Sequence, residues 1–289
     1  MDINWYPGHM KKTIESIEAN KARVDLVITL LDARIPISSH NPLLEKALEG
    51  KPVLYLLNKS DLAEEEGNRA WVEYLSGKQD SRALAWRSTG RPNRRGLMAA
   101  IEALSRDRLQ RDRDRGMRER KVRIMVTGIP NVGKSTFINQ MAGRKSTKVG
   151  NRPGVTKTNQ WIRLDSSVDL LDTPGVLWPK LDPPIRGRHL AYTGSIKDEI
   201  MDVETLALRF LEEAEGELRS RILARYDIQD EKLEGLELME AIARRRGAIG
   251  RGGSVDYTQV ANIVLGEFRS GTLGPVTLEY PEDGEQYHE

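Results

Sequence analysis

The stretch Gly128–Thr136 reads GIPNVGKST and matches G-x-x-x-x-G-K-[S/T], the phosphate-binding loop. The glycines of such a loop let the backbone bend, so that its N–H groups surround phosphate oxygens. The lysine supplies a positive charge to the β- and γ-phosphates, and the serine hydroxyl can ligate Mg2+. The residues that we expect to contact the nucleotide here are Asn131, Val132, Gly133, Lys134, Ser135 and Thr136.

The segments on either side supply the context that this loop needs. Val122–Thr127 is a short β-branched run that predicts a strand, and Ser135–Met141 predicts a helix. The N-terminus of that helix carries partial positive charge and faces the phosphate. Because strand, loop and helix follow in the required order, a chance match is disfavoured.

A second motif, the base-reading loop Asn58-Lys59-Ser60-Asp61, follows a buried strand predicted for Pro52–Leu57. N-K-x-D at the carboxyl end of a strand is the guanine-reading motif of GTPases. The Asp61 carboxylate can accept hydrogen bonds from guanine N1–H and N2–H2, a donor pair that adenine lacks. The Asn58 amide can bond the base edge and brace the phosphate-binding loop, and the Lys59 stem can lie over the ring.

Further residues complete the expected site. Ser88 follows the strand candidate Arg82–Trp86, where a GTPase loop contacts guanine O6. Thr156, in a polar segment rich in Gly and Pro, stands where an effector loop places a threonine on Mg2+ and the γ-phosphate. Asp172 and Gly175 form D-x-x-G after another predicted strand. Asp172 would hold Mg2+ through water, and the Gly175 N–H would bond the γ-phosphate.

These motifs come in an unusual order, because the base-reading loop precedes the phosphate-binding loop. In a doubly wound sheet the loops meet at one edge whatever the chain order, and natural termini often lie close enough for circular permutation. We therefore predict an α/β fold, in which a circularly permuted P-loop GTPase domain with a doubly wound, mostly parallel sheet precedes a smaller all-helical domain. Residues 176–188 predict a linker, and the domains are placed at 1–180 and 181–289.

Composition limits the possible partners. The chain has 289 residues and a net charge of only +2, so nucleic-acid contact must come from local patches. It has no cysteine, which excludes disulfides, thiol nucleophiles and Cys-ligated zinc and is compatible with a reducing cytosol. The first residues do not form a signal peptide, and no apolar run is long enough to span a bilayer.

Two basic stretches have open interpretations. For the charged run at 106–121, a solvated helix or linker with charge pairs is favoured over an RNA-contacting stretch. Arg244–Arg246 and Arg251 flank a glycine-rich turn. They could follow a phosphate backbone or form an ordinary helix C-terminus with favourable arginines, and neither reading is preferred.

Seven motifs over nearly the whole chain carry a family resemblance: W-Y-P-G-H-M at 5–10, D-A-R-I-P at 32–36, N-K-S-D at 58–61, G-I-P-N-V-G-K-S-T at 128–136, P-G-V-T at 153–156, D-T-P-G at 172–175 and F-R-S-G-T-L-G at 268–274. In sequence and order they resemble the circularly permuted GTPases, and most closely the ribosome biogenesis GTPase A family. The resemblance implies a cytoplasmic GTPase that binds the maturing large ribosomal subunit. It also implies a helical C-terminal domain that helps dock on ribosomal RNA. We expect no membrane or DNA partner and a monomer in solution.

The resemblance also bears on catalysis. Many GTPases place a glutamine after D-x-x-G to orient the attacking water, but this chain has Val176, which cannot hydrogen-bond water. The resemblance implies that His9 takes that role, because a histidine can position or polarise water. From the neighbouring residues alone, His9 would be interpreted as a surface loop histidine. Asn131 is similar to the asparagine that helps bind K+ in potassium-activated relatives, where the cation adds positive charge near the phosphates. The implied cofactors are GTP or GDP, Mg2+ and K+.

Two classes of function remain compatible with these residues. The chain could be an enzyme that hydrolyses GTP slowly alone and faster on a preribosomal particle, and then releases itself. Alternatively, it could be a GTP-dependent RNA-binding checkpoint whose hydrolysis is incidental. An ATPase of the same fold is disfavoured by Asp61.

Overall fold

Six strands in the described part of the chain form one sheet. The computed structural model describes residues 10–116, 120–143, 160–164, 166–196 and 202–284 with their side chains, and His9 and residues 285–287 by their backbone. The sheet has the order β3-β2-β1-β4-β6-β5, and all neighbours are parallel except β5 and β6. The strands are β1 (Leu26–Asp32), β2 (Val53–Asn58), β3 (Ser81–Ala85), β4 (Val122–Gly128), β5 (Gln160–Arg163) and β6 (Val168–Asp172).

Parallel pairing brings the carboxyl ends of the central strands to one edge of the sheet. Asp32 pairs with Asn58 across β1 and β2, and Val126 pairs with Asp172 across β4 and β6. The base-reading loop, the phosphate-binding loop and the D-T-P-G loop follow β2, β4 and β6, so they emerge together despite their separation in sequence. The predicted permuted, mostly parallel α/β fold is confirmed.

Helices cover both faces of this sheet. Along β2, Leu54 and Leu56 join the larger apolar cluster on one face, whereas Tyr55 and Leu57 pack with Trp71 on the other. This alternation follows from the two-residue period of a strand and explains why the central strands are almost wholly apolar. The helices of this half are α1 (His9–Asn20), α2 (Pro36–Ser39), α3 (Pro42–Ala47), α4 (Glu65–Ser76), α5 (Arg94–Asp114) and α6 (Lys134–Ala142).

Helix α5 includes most of the charged run at 106–121. Asp25, just before β1, lies 3.0 Å from Arg108 and 2.7 Å from Arg120. Although burial opposes its ionisation, these arginines and the Arg123 N–H hold the pKa of Asp25 below its ordinary value. The favoured interpretation, a helix with charge pairs, describes α5, and contact of this run with RNA stays a prediction.

The linker predicted for residues 176–188 is wrong. Val176, Leu177 and Trp178 are buried in the larger apolar cluster, and helix α7 (Pro184–Tyr192) begins inside the segment. The prolines misled the prediction, because a proline at the first turn of a helix loses no intrahelical hydrogen bond.

The described C-terminal region is mainly helical, as its apolar spacing predicted. It contains α8 (Val203–Glu212), α9 (Gly216–Tyr226), α10 (Gly235–Arg246) and α11 (Tyr257–Ser270). Leu190 of α7 belongs to the larger apolar cluster, whereas Ala191 and Tyr192 belong to the C-terminal cluster. The domain boundary at residue 180 stays a prediction. Among the described helices, none is long and apolar enough to cross a membrane.

Residues 276–280 run back across the first half of the molecule. The Val276 N–H donates to the Leu62 carbonyl at 2.8 Å, and the Leu278 N–H donates to the Arg34 carbonyl at 2.8 Å. The segment therefore joins the chain that follows β2 to the chain that follows β1.

Glu279 anchors this segment from inside the protein. Its side chain is fully buried and accepts hydrogen bonds from the Ser38 N–H at 2.9 Å and from the Ser38 hydroxyl. His189 Nδ1 lies 2.7 Å from the same carboxylate, and the Trp71 indole N–H donates to the Glu279 carbonyl at 2.7 Å. One residue thus connects α2, α4 and α7.

We expect Glu279→Ala to lower the free energy of unfolding by about 2–4 kcal/mol, because it leaves buried polar groups without partners. Chemical denaturation measures the change. Glu282→Ala is the control, since Glu282 is an exposed glutamate just after the same segment. Equal stability of the two variants would contradict this role.

Candidate functional site

The phosphate-binding loop has the backbone shape that its glycines allow. Gly133, at the start of α6, has φ of +100°, and a Cβ built there would lie 2.2 Å from the Asn58 side-chain nitrogen. Only glycine fits this approach. Lys134, Ser135 and Thr136 form the first turn of α6, and the backbone N–H groups of a first turn point towards the N-terminal end of the helix.

The Asn58 side chain joins three loops. Its Nδ2 donates to the Val132 carbonyl at 2.7 Å, and its Oδ1 accepts from the Ser88 hydroxyl at 2.8 Å. Asn58 is buried, so both bonds form away from water. The bracing contact with the phosphate-binding loop that the sequence indicated is present, and Ser88 lies beside it.

The rest of the base-reading loop turns outward after β2. Ser60 N–H donates to the Trp86 carbonyl at 3.1 Å, which ties this loop to the chain that follows β3. Asp61 is exposed, and its contact with a guanine base stays a prediction. Lys59 has a left-handed backbone with φ of +59°.

Sequence reasoning missed the partner of Lys59. Its ammonium lies 2.9 Å from Asp32 Oδ2, and Asp32 also accepts two hydrogen bonds from the Arg34 guanidinium, at 2.9 and 2.8 Å. Burial opposes the charge of Asp32, but Arg34 and Lys59 hold its pKa far below the ordinary range. The D-A-R-I-P motif contains Asp32 and Arg34, but the sequence alone did not show that Asp32 lies next to Lys59.

Lys134 and Asp172 lie on the phosphate side. The Lys134 ammonium donates to the carbonyls of Gly128 at 3.0 Å and Ile129 at 2.8 Å. Burial lowers the pKa of Lys134 to about 8, although the charge of Asp172 opposes this shift. Burial raises the pKa of Asp172 to about 6, against the charge of Lys134 and the Thr173 N–H.

Asp172 has the character of a magnesium ligand. Within the described residues, its buried Oδ1 has no hydrogen-bond partner. An unpaired carboxylate oxygen at the end of β6 suits Mg2+, which takes few protein ligands and shares the phosphates, and Ser135 in the first turn of α6 offers a hydroxyl at the same sheet edge. Asp172 and Ser135 therefore fit the ion.

The D-T-P-G loop lies against the phosphate-binding loop. A Cβ on Gly175 would lie 2.8 Å from Pro130 and 3.0 Å from the Lys134 nitrogen, so only glycine allows this approach. The next residue, Val176, is fully buried, and its carbonyl accepts from the Asn41 amide at 2.8 Å. A side chain held in the core cannot orient water.

Of the remaining predicted site residues, the structure describes Asn131 but not Thr156 or the side chain of His9. Asn131 has φ of +59°, and its amide donates to the Gly194 carbonyl at 2.8 Å, which connects the phosphate-binding loop to the chain after α7. Its role as a K+ ligand stays a prediction. Thr156 and the side chain of His9 lie outside the described residues, although α1 begins at His9.

Comparisons with known proteins point the same way. The family described as 50S ribosome-binding GTPase matches residues 123–237. Ribosome biogenesis GTPase A of Bacillus cereus is 40% identical over 99% of this chain and 97% of its own length. The Thermotoga maritima protein of that name is 31% identical over 97% and 95%. A crystal structure of GNP-bound YlqF from T. maritima matches with a TM-score of 0.66 and 25% identity, over 94% of this chain and 99% of that one.

We expect Mg2+-dependent nucleotide binding to weaken as the pH falls through about 6, because a proton on Asp172 must leave before Mg2+ can bind there. Below that pH the apparent Mg2+ affinity should fall by up to about tenfold per unit. Mg2+ titrations with a non-hydrolysable GTP analogue, at about pH 5.5 and about pH 7.5, measure this.

The phosphates of the nucleotide also titrate, so two variants are needed to identify the part of the pH dependence that comes from the Asp172 carboxyl. Asp172→Asn should lose the extra pH dependence, whereas Asp169→Asn, on the same strand and paired with Lys121, should keep it. The same pH dependence in wild type and Asp172→Asn would show that Asp172 is not the titrating group.

Proposed function

Because this chain belongs to the ribosome biogenesis GTPase A family, we propose that it hydrolyses GTP to GDP and phosphate during late assembly of the large (50S) ribosomal subunit. Hydrolysis is stimulated by the particle, and nucleotide state is coupled to particle binding. One observation supports the proposal most directly: the base-reading, phosphate-binding and D-T-P-G loops follow parallel strands at one sheet edge, and Asn58 bonds Val132 of the phosphate-binding loop and Ser88.

Guanine recognition falls to the base-reading loop. Asp61 accepts from guanine N1–H and N2–H2, Asn58 bonds the base edge and Lys59 lies along the ring face. Ser88, already bonded to Asn58, contacts guanine from the loop after β3. An adenine would leave the carboxylate without its donor pair, and that loss gives the specificity.

Phosphate binding requires Lys134 to change partners. Its ammonium now bonds loop carbonyls, and it exchanges them for β- and γ-phosphate oxygens when GTP enters. Backbone N–H groups of residues 131–136 surround the same phosphates, and the Gly175 N–H bonds the γ-phosphate. Ser135, Thr156 and Asp172 would hold Mg2+, which neutralises charge on the phosphates.

Water activation is assigned to His9. Val176 is buried and has no polar side-chain atom, so the usual water-orienting position is lost. Met10, the residue after His9, is buried in the larger apolar cluster, which supports a fixed start for α1 against the sheet. From there His9 would polarise the attacking water, and Asn131 would help to hold a K+, which would supply positive charge to the phosphates.

The large subunit precursor and its ribosomal RNA are the proposed partners, and the cytoplasm is the proposed location. The arginines at the end of α10 offer little support for the RNA contact. Arg244, Arg245 and Arg246 pair with Glu240, Asp227 and Glu267, which favours the structural interpretation of this basic edge. Support for RNA docking therefore comes from the family. A monomeric state in solution stays a prediction.

The decisive experiment is a GTPase assay with and without isolated large-subunit particles, in K+ and in Na+ buffer. We expect turnover to rise with large-subunit particles and to be higher in K+ than in Na+, because a monovalent cation site near the phosphates stabilises the developing charge. Small-subunit particles are the control and should give no increase. Equal turnover with either particle would reject the proposed partner, and equal turnover in K+ and Na+ would reject the cation site.

His9→Ala should lower particle-stimulated turnover by about 100-fold or more, with GTP binding intact, because the group that polarises water is lost. Lys11→Ala, an exposed position on the same helix, is the matched control. Full stimulated turnover of His9→Ala would exclude the assignment.

The same variant separates the enzyme from the checkpoint. If hydrolysis releases the protein, His9→Ala with GTP should remain on the particle during sedimentation while wild type leaves. If hydrolysis is incidental, both should leave alike.

A further inference from the structure

We propose that Asp32 and Arg34 position Lys59 for the guanine base, and that the C-terminal helical region, through Phe268 and Leu278, completes this base site. The inference rests on the proposed GTP binding and adds residues that lie outside the base-reading loop. It makes the C-terminal region part of the nucleotide site.

The sheet register creates the contact between Asp32 and Lys59. Asp32 ends β1 directly opposite Asn58, which ends β2. Lys59 follows at once with a left-handed backbone, and its ammonium reaches Asp32 Oδ2 at 2.9 Å. The ends of the lysine side chain are thus fixed at the backbone and at the ammonium, and the stem between them is the part that can lie along a base.

Asp32 is a rigid anchor. It is fully buried, and its carboxylate accepts from the Arg34 N–H at 3.2 Å, from Arg34 Nε at 2.9 Å, from Arg34 Nη2 at 2.8 Å and from Lys59. A buried carboxylate with this many donors has a single favourable orientation. A lysine held by it loses less freedom when a ligand binds, and such preorganisation increases affinity.

The C-terminal region holds the other side of Arg34. The guanidinium carbon lies 5.0 Å from the centre of the Phe268 ring on α11, and Arg34 is 1% exposed. A desolvated cation over an aromatic face is stabilised by the ring. The backbone of Arg34 is held as well, because the Leu278 N–H donates a hydrogen bond to the Arg34 carbonyl at 2.8 Å.

The same segment also contacts the far end of the base-reading loop. The Val276 N–H donates to the carbonyl of Leu62, the residue after Asp61, at 2.8 Å. One end of the loop is thus held through Lys59 and Asp32, and the other is held directly by the C-terminal segment.

These contacts lie on the base side and not on the phosphate side. They should therefore act on GDP and GTP by the same factor and leave the hydrolytic step unchanged. Linkage requires the reverse effect as well, so a bound guanine base should strengthen the docking of the C-terminal region.

The test measures the affinity of the full-length protein for fluorescent GDP and for a fluorescent, non-hydrolysable GTP analogue. Asp32→Asn should weaken binding of both nucleotides by about tenfold, because the stem of Lys59 loses its anchor. In a double-mutant cycle, Asp32→Asn added to Lys59→Met should weaken binding little further than Lys59→Met alone. Independent, multiplying effects would show that Asp32 does not act through Lys59.

A second variant tests the C-terminal contribution without touching the buried charges. Phe268→Leu keeps an apolar side chain but removes the aromatic face over Arg34, and we expect both nucleotides to bind about threefold more weakly. Tyr226→Leu is the matched control, because Tyr226 is buried in the same cluster and contacts Arg246 instead. Equal loss in both variants would indicate a general destabilisation and would overturn the proposal.

The outcomes separate this inference from the proposed function. If wild type binds neither nucleotide, the proposed function fails. If wild type binds both and the Phe268→Leu variant binds like wild type, the inference fails while GTP binding stands. Circular dichroism confirms folding of each variant, and if Asp32→Asn does not fold, Phe268→Leu decides.

Discussion

The parallel pairing of β1, β2, β4 and β6 is the constraint on which the site depends. It places the ends of all four strands at one edge, with Asp32 beside Asn58 and Val126 beside Asp172. Parallel pairing fixes the direction of each strand as well as the identity of its neighbours, so the loops after these strands all leave from the same edge of the sheet. Permuting the order of the segments does not disturb this arrangement, because the hydrogen bonds depend on strand position and not on the sequence of connections.

Local motifs with a known context could be predicted, and long-range partners could not. The loop at 128–136 lies between a strand and a helix, as its pattern indicated, and Asn58 braces it. Glu279 gave no such signal, because its partners are far away in sequence and an isolated glutamate predicts a solvated side chain. The segment after Gly175 was misread for a related reason: its prolines suggested an extended linker, whereas its apolar residues are buried against the sheet.

The C-terminal region meets the nucleotide site at two places. On the phosphate side, the chain runs from the D-T-P-G loop through a buried segment into α7, and Asn131 donates to Gly194 just beyond it. On the base side, residues 276–280 bond the chain after β1 and after β2. The Arg269 side chain of α11 donates to the carbonyls of Ala191 and Tyr192 on α7, so the two contacts with the site belong to helices that are bonded to each other.

The return of the last residues to the start of the chain also has a consequence for biosynthesis. Glu279 bonds Ser38, a residue that lies 241 positions earlier. A chain made from its N-terminus cannot close that contact until Glu279 has been synthesised and has left the ribosome. All six strands end by Asp172, so any sheet that they form before then lacks the bonds that hold α2 to residues 276–280.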